Sequence, residues 1–460
     1  MTGTAKQVPD VERGLGGRAA RGAMVTLGGQ ISRMLIQIVS VAVLARLLTP
    51  EDYGLLAMVT VVVGVGEIFR DFGLSSATIQ SPTLTRAQRD NVFWVNTGIG
   101  FILAVLLFAG APLLAQIYHR PELVDVSRAL SATFLLNGLA TQYRADLIRR
   151  LRFLQLAVAE TSAPAAALVV AILVARAGGG HWALVAQSLT QATAMLVVLS
   201  VTARWLPRRP QRGQPMAGLL RFGRRLVVTQ LIGYASNNTD ALLIGLRFGA
   251  GPLGYYNRAF SLLMTPLNQL RAPTTTIALP VLSRLQDDDS RFDHFLRRGQ
   301  LTMGYTLVAG LGVVAAAAEP VTAIFLGERW VTVAPILRLL AVAGIFQTLS
   351  YVGYWVYLSR NLTAELLRYT LVTAAIRVVC IVTGSNWGVL GVAAGYALAP
   401  ALAWPLSIWM LSRRTSIPAR SLGLGALRLL TVLTFSAGAA AMVVAGLGAY
   451  PAPLQLAAAF

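Results

Sequence analysis

Four arginines lie inside apolar stretches that are long enough to cross a bilayer: Arg33, Arg70, Arg271 and Arg377. A guanidinium group keeps its charge and carries five N–H donors, which suit it to phosphate and carboxylate groups. Charged side chains inside a membrane almost always face the interior of a helix bundle or a watery cavity. We therefore interpret these arginines as candidate substrate-binding groups. An unpaired arginine in such a cavity would lower the cost of desolvating an anion.

Each arginine also has a structural interpretation. Arg33 and Arg271 have no carboxylate three or four residues away, and each could instead form an interhelical ion pair, for Arg33 with a residue such as Asp240. Arg70 follows Glu67 by three residues, which favours a neutralised cluster on one helix. Arg377 could centre a network of hydrogen bonds. Asp240 and Glu67 are candidate ion-coupling sites, since a carboxylate inside a membrane can take up or release a proton when its surroundings change.

Polar stripes position these residues on two consecutive predicted helices, at about 22–48 and 52–80. Residues three or four positions apart share one face of a helix. The stripe of the first helix comprises Thr26, Gln30, Arg33, Gln37 and Ser40. The stripe of the second comprises Thr60, Gly64, Glu67, Asp71, Ser75 and Thr78. Because such faces are costly against lipid, the hairpin is predicted to form one wall of a hydrophilic chamber in the membrane.

Polar stripes on predicted helices also occur later in the chain. Two further predicted helices carry polar residues at helical spacing, among them Asn237, Asp240, Asn268 and Arg271. The Gly-rich turn between them places Gly254 200 positions after Gly54. Two lobes that each open with a polar hairpin are the parallel repeat that some transporters use. The cavity is therefore expected between the lobes.

Composition excludes several classes of protein. Hydrophobic residues make up 55% of the chain and charged residues 13%, against about 25% charged in a soluble domain. Lys6 is the only lysine, so a Walker phosphate loop and Schiff-base chemistry are excluded. The histidines show no metal-binding spacing, and a single cysteine excludes an internal disulfide. The sequence predicts a multi-pass membrane protein without metal, cofactor or nucleic-acid partner.

Thirteen apolar runs reach spanning length, about 20 residues. They lie at roughly 22–48, 52–80, 91–118, 126–148, 154–177, 182–203, 226–248, 254–282, 300–319, 332–358, 362–384, 388–411 and 426–449. The net charge of +20 falls mostly in alternate loops, which places the N-terminus in the cytoplasm by the positive-inside rule. Residues 1–21 lack the short apolar region and cleavage site of a signal peptide, so we expect the first run to be retained as a signal anchor.

These runs define the predicted domains of an all-α, polytopic transmembrane helical bundle. A cytoplasmic tail (1–21) precedes an N-terminal six-helix lobe (22–203), and a basic cytoplasmic linker (204–225) leads to a C-terminal six-helix lobe (226–412). The two lobes are predicted to be related by pseudo-symmetry. Residues 413–460 hold one or two additional spans, depending on whether a fourteenth is cut short.

Three motifs give the chain a family resemblance. They are 44–54 (LARLLTPEDYG), 237–245 (NNTDALLIG) leading to 254–257 (GYYN), and 325–330 (FLGERW) followed by 334–337 (APIL). Together they resemble the polysaccharide transport branch of the multidrug/oligosaccharidyl-lipid/polysaccharide flippase superfamily. The resemblance covers nearly the whole chain in the right order.

The resemblance implies a transporter, not an enzyme, that moves polyprenyl-diphosphate-linked oligosaccharide or a related glycan across the cytoplasmic membrane by alternating access without ATP. It implies that cavity arginines hold the diphosphate, a role carried by chemistry to Arg33 and Arg271 and then to Arg70 and Arg377. The predicted substrate-binding set is completed by Gln30, Gln37, Asn237 and Asn268. Membrane lipid and glycosyltransferases or a polysaccharide polymerase are the implied partners.

Two alternatives stay open at this point. The chain could be an ion-coupled exporter of small organic cations that uses Asp240 or Glu67. It could also be a membrane scaffold for glycan-assembly enzymes. The membrane potential favours an anionic cargo, because an inside-negative potential favours outward movement of negative charge by about 2.3 kcal/mol per charge per 100 mV.

Overall fold

The computed structural model describes residues 10–71, 74–80, 84–211, 227, 230–415, 417–446 and 452. These ranges are almost entirely helical and contain no strand. The helices of the first half are α1 (Asp10–Leu47), α2 (Pro50–Asp71), α3 (Leu74–Gln80), α4 (Arg86–Tyr118), α5 (Leu123–Arg149), α6 (Phe153–Arg176) and α7 (Trp182–Ala203). Much of the predicted basic linker, and the end of the chain where a fourteenth span was considered, lie outside the described residues.

The second half continues in the same way. Residues 230–237 are helical. The helices that follow are α8 (Thr239–Phe248), α9 (Ala250–Arg284), α10 (Asp289–Met303), α11 (Ala309–Ala316), α12 (Ala318–Phe325), α13 (Ala334–Ser359), α14 (Thr363–Gly384), α15 (Gly388–Ser412) and α16 (Ala419–Gly446). Gly304–Val308 forms a π-helical turn, and Glu328–Val333 and Ser385–Trp387 form 3₁₀ turns.

Nine helical segments of the described chain are long and apolar enough to cross a membrane. One of them, Thr363–Ser412, contains two of the predicted spans. The predicted spans at 126–148 and 254–282 are present as α5 and α9, but their polar and charged side chains keep both helices outside the nine. The predicted class, an all-α polytopic membrane bundle, is confirmed.

Apolar side chains on the outer faces of the helices fit a lipid environment. Six large apolar residues of α4 are each at least half exposed: Phe101, Ile102, Val105, Leu106, Phe108 and Leu113. On α16, Phe435 is 81% exposed. A soluble monomer rarely exposes contiguous apolar surface on this scale, so these faces are the lipid-facing surface.

The helices group into two compact units. Unit 1 comprises Met1–Ser40 and Val62–Leu231, and unit 2 comprises Val41–Val61 and Ile232–Phe460. The first hairpin is therefore divided, because its turn groups with the second half of the chain. The lobe boundaries drawn from the sequence stay a prediction.

Unit 1 is held together by paired helices. α4 packs on α5, α6 on α7, and α5 on α7. On α6, four alanines at steps of four residues have no exposed surface: Ala159, Ala163, Ala167 and Ala171. Small residues at this spacing let helix backbones approach closely, which is the usual way that helices associate in membranes.

In unit 2, the capping of α2 follows directly from its sequence. Pro50 occupies the first helical position, where its missing N–H costs nothing. The Asp52 carboxylate accepts hydrogen bonds from the Thr49 backbone N–H (2.8 Å) and Oγ1 (2.7 Å), and the Asp52 N–H donates back to Thr49 Oγ1 (3.3 Å). This reciprocal arrangement is a capping box, so the TPED segment fixes where the helix begins.

The first turns of α2 and α9 cross at two glycines. A Cβ atom on Gly54 would lie 1.8 Å from the carbonyl oxygen of Ala250, and one on Gly254 would lie 1.7 Å from the carbonyl oxygen of Pro50. Each glycine thus packs against the residue four positions before the other. The two glycines that lie 200 positions apart in the sequence therefore pack reciprocally on each other's helix, and only glycine fits this contact.

Trp330 joins the three sequence motifs at the same place. Its side chain is buried, and its Nε1 donates to the carbonyl oxygen of Ala45 (2.8 Å). Its ring meets those of Tyr53 and Tyr255 edge to face, with centroids 5.6 and 5.8 Å apart. The motifs that carry the family resemblance therefore build a packing junction, here called the motif junction.

Candidate functional site

A polar cavity of about 300 Å³ opens within unit 1. It is lined by Arg33, Arg70, Asn137, Ala140, Thr141, Arg144, Glu160, Pro164, Gln191, Met195 and Leu199. Arg33, on the polar stripe of α1, and Arg70, next to the polar stripe of α2, therefore line one cavity. We call it the unit 1 cavity.

Glu160 neutralises the arginines on one side of the unit 1 cavity. Its carboxylate lies 3.6 Å from the Arg33 guanidinium and also pairs with Arg144 at 2.5 Å. The partner of Arg33 is thus Glu160 and not Asp240, the example that the sequence offered. The Arg33 Nε is buried without a hydrogen-bond acceptor among the described residues, so Arg33 retains unused donor capacity.

Glu67 neutralises the other side. The Arg70 Nε donates to the Glu67 carboxylate at 2.6 Å, as the three-residue spacing predicted. Asn137 donates to the second carboxylate oxygen (2.9 Å), and Arg70 also bonds the Asn137 carbonyl oxygen (3.2 Å) and the Thr141 hydroxyl. Arg70 is thereby fixed between α2 and α5.

The arginines of unit 2 have different partners. Arg271, on α9, is 4% exposed and donates to the side-chain oxygens of Asn268 (2.6 Å) and Gln347 (3.0 Å). Its Nε is buried without an acceptor, and no carboxylate pairs with Arg271 in the part of the chain that is described. A buried charge on neutral partners is costly, which makes Arg271 a strong functional candidate.

Arg377 belongs to the same network. Its guanidinium bonds the Asn237 side chain and lies 5.9 Å from the ring of Tyr396. The Tyr396 hydroxyl accepts a hydrogen bond from Gln347 (3.3 Å), the residue that also accepts from Arg271. Tyr396 and Gln347 therefore connect the two arginines. We call this set the unit 2 arginine network.

Asp240 stands beside this network. It is 3% exposed, and its carboxylate accepts a hydrogen bond from the hydroxyl of Tyr256, itself 2% exposed. Asp240 forms no ion pair with the described residues. A buried carboxylate with a neutral donor is the arrangement in which a proton could bind and leave.

The remaining predicted residues lie on the expected faces. Gln30 and Gln37 share the Arg33 side of α1 and are half-buried, but they are not among the residues that line the unit 1 cavity. Further along that stripe, Gln187 of α7 donates to the hydroxyl of Ser40 (3.0 Å). Arg33 and Ser40 of the α1 stripe therefore contact other helices of unit 1.

Sequence reasoning missed several residues of both sites. Glu160 gave a usable signal, because it is a carboxylate inside a predicted span. Arg144 lies near the end of the predicted span 126–148 and was not among the predicted site residues, yet it lines the unit 1 cavity. Gln347 and Tyr396 gave no such signal, since neutral polar residues are common in spans and their roles depend on which helices meet.

Curated relatives are similar to about two thirds of the chain. The lipopolysaccharide biosynthesis protein WzxC of Escherichia coli K12 is 26% identical over 318 residues, 68% of this chain and 64% of that protein. The teichuronic acid biosynthesis protein TuaB of Bacillus subtilis 168 is 29% identical over 324 residues, 68% of this chain and 66% of that protein. The matched region thus spans just under two thirds of each relative.

Solved structures share the fold. The lipid II flippase MurJ, in an inward closed conformation, matches with a TM-score of 0.70 over 91% of this chain and 92% of MurJ, at 13% identity. An inward-facing multidrug resistance transporter of the MATE family matches with a TM-score of 0.65 over 86% and 99%, at 15% identity. At these identities the likeness concerns the fold alone. Residues 43–335 match the model of the polysaccharide biosynthesis protein family, and this chain belongs to that family, as its motifs predicted.

Proposed function

We propose that this protein is a flippase that moves a polyprenyl-diphosphate-linked oligosaccharide, or a related polysaccharide precursor, across the cytoplasmic membrane by alternating access. The observation that carries the proposal is Arg271, a buried guanidinium bonded to the neutral oxygens of Asn268 and Gln347. A diphosphate would supply the anionic acceptor that these partners do not.

The two arginine sites have complementary roles in this proposal. In the unit 1 cavity, Arg33 is held by a carboxylate and would exchange part of that pairing for phosphate oxygens, whereas Arg70, bonded to Glu67 and to α5, would mainly hold the cavity wall in place. In unit 2, Arg271 would bind phosphate without first losing an ion pair. The asparagines at 237 and 268 already accept from the arginines and would reorient when the anion arrives.

Charge distribution supports outward transport. With the N-terminus and the basic loops in the cytoplasm, the membrane potential is negative on the side where the lipid-linked glycan is made. An anionic diphosphate would gain about 2.3 kcal/mol per charge per 100 mV as it crosses, roughly twice that for two charges. This gain removes the need for ATP. Glycosyltransferases and a polymerase would supply and consume the cargo as partners.

Reconstitution tests the proposal. Purified protein in liposomes should move a fluorescent polyprenyl-diphosphate oligosaccharide between leaflets, faster when an imposed potential drives negative charge in that direction. Arg33→Ala and Arg271→Ala should slow this movement while the amount of folded protein stays the same. No movement by folded wild-type protein under either condition, or full activity of both variants, would count against the diphosphate assignment.

Asp240 favours a second candidate, the ion-coupled export of small organic cations. Asp240 is buried beside the unit 2 arginine network, and its carboxylate accepts a hydrogen bond from the neutral hydroxyl of Tyr256. Asp240→Asn separates the two functions. A cation exporter would lose proton-driven uptake of a fluorescent organic cation into liposomes, whereas a flippase driven by potential alone would keep its glycolipid movement.

A further inference from the structure

A second cationic site lies on the surface of unit 1, at the ends of α4, α5 and α7. It is an open cavity of about 780 Å³, and five arginines and a tryptophan dominate its lining: Arg86, Arg89, Arg150, Arg204, Arg208 and Trp205. None of these residues lines the unit 1 cavity. We call this site the basic surface cavity.

The start of the basic linker (204–225) forms one side of this cavity. Residues 205–211 have no regular structure, yet side chains of α4 hold them in place. Trp94 Nε1 donates to the carbonyl oxygen of Arg208 (2.7 Å), and the Asn91 side chain exchanges two hydrogen bonds with the backbone of Gln211, both 2.8 Å. The linker arginines are therefore presented at a fixed place.

Two of the five arginines are structural. Arg89 and Arg150 share the carboxylate of Asp146, at 3.3 and 3.0 Å. The guanidinium carbon of Arg89 also lies 4.0 Å from the ring centre of Trp205, and that ring packs 4.9 Å from Tyr143. These contacts form the floor of the cavity and leave its rim to the other arginines.

The three rim arginines carry uncompensated charge. Arg86, Arg204 and Arg208 are exposed, and none of them forms an ion pair with a residue that the structure describes. The linker sequence from 204 to 225 contains seven arginines and neither Asp nor Glu. The linker therefore provides no carboxylate that could neutralise the rim.

Apolar side chains flank the rim and indicate the source of the ligand. Leu206 stands between the linker arginines and is 77% exposed. Val201, Leu154 and Leu151, from the adjoining end of the same unit, are each more than half exposed. A ring of cations beside exposed apolar residues and Trp94 is the pattern of a membrane interface, where the headgroup meets the acyl chains.

We propose that the basic surface cavity binds the phosphate-bearing headgroup of an anionic membrane phospholipid. Arg86, Arg204 and Arg208 would contact the phosphate, and Leu206 would enter the acyl region beside it. The site is independent of the proposed transport substrate, because it has its own lining residues and its own charge. The bound lipid would anchor the start of the basic linker at the membrane surface, on the side that the positive-inside rule assigns to the cytoplasm.

Lipid binding by the full-length protein tests this proposal. The purified protein in uncharged detergent is titrated with phosphatidylglycerol, phosphatidylcholine or sn-glycerol 3-phosphate, and bound ligand is counted by native mass spectrometry. The wild type should prefer phosphatidylglycerol. The R86Q/R204Q/R208Q variant should bind it about 100-fold more weakly, because each arginine near a charged lipid contributes about fivefold.

A matched control removes the same charge elsewhere. Arg284, Arg298 and Arg420 are exposed on the same predicted side of the membrane but do not line the cavity. The R284Q/R298Q/R420Q variant should bind phosphatidylglycerol as the wild type does. Equal weakening by both triple variants would show a general charge effect and overturn the site.

A second variant tests the lipid itself. Leu206→Asn removes an exposed apolar side chain without adding charge or disturbing the core, and it should weaken the binding of phosphatidylglycerol but not that of sn-glycerol 3-phosphate. Binding of sn-glycerol 3-phosphate as tight as that of phosphatidylglycerol would assign the cavity to a soluble phosphate and overturn the lipid assignment. Wild-type affinity in both the arginine variant and Leu206→Asn would overturn the proposal altogether.

Discussion

The two units hold their arginines in opposite ways. In unit 1, Arg33 and Arg70 are partly exposed to a cavity and each is paired with a carboxylate, Glu160 or Glu67. In unit 2, Arg271 is buried and its acceptors are amide oxygens. The first arrangement is nearly neutral and stable without a ligand. The second keeps a positive charge in place at a cost to folding.

In the proposed transport cycle, this contrast separates two tasks, the binding of an anion and its release. A paired arginine releases its ligand easily, because a carboxylate is ready to replace the phosphate. An arginine on neutral partners binds the anion more strongly, because no ion pair is lost. The comparison predicts that unit 2 provides affinity and that unit 1 limits it.

Arg271→Ala should have the largest effect on transport. Hydrogen bonds to charged groups contribute about 1.5–3 kcal/mol, so loss of this guanidinium should slow glycolipid flipping roughly 10- to 100-fold. Arg33→Ala should slow flipping less, because Arg144 still provides a guanidinium group in the unit 1 cavity. Flipping rates in liposomes, corrected for the amount of folded protein, measure both. Equal losses in the two variants would break the contrast between the units.

Glu160→Gln should act in the opposite direction. The change frees Arg33 and Arg144 from their shared carboxylate, so the unit 1 cavity should bind an anionic diphosphate lipid more tightly. A partly exposed ion pair contributes about 1 kcal/mol, which corresponds to about a fivefold lower Kd. Equilibrium binding measures the change, with Glu319→Gln, which breaks an exposed pair to Arg338, as the control. Weaker binding would mean that Glu160 acts directly on the cargo.

The smallest effect is expected at the Arg70 cluster, which we regard as mainly structural. Arg70→Gln leaves Glu67 half-buried with Asn137 alone and should lower the free energy of unfolding by about 1 kcal/mol. Melting curves of Arg70→Gln, Glu67→Gln and the double variant give the coupling energy between the two residues. A coupling near zero, or a large loss of transport with normal stability, would move Arg70 from scaffold to substrate site.

Local patterns allowed part of this arrangement to be predicted. The spacing of Arg70 and Glu67 within one helix predicted their ion pair, and long apolar runs predicted the class of fold. The pairing of Arg33 with Glu160 could not be predicted, because it depends on which helices meet and not on spacing along one helix. Gln347 of α13, which accepts a hydrogen bond from Arg271, could not be predicted for the same reason.

The motif junction has a consequence for the synthesis of the chain. Gly54 is translated 200 residues before Gly254, so at about 5–20 residues per second the first hairpin waits roughly 10–40 s for its packing partner. Trp330, which donates to Ala45, emerges later still. The turn of the first hairpin must therefore remain unpacked until these residues are made. The second half of the chain, in turn, cannot complete its packing without residues 45–54, which the ribosome synthesised near the start.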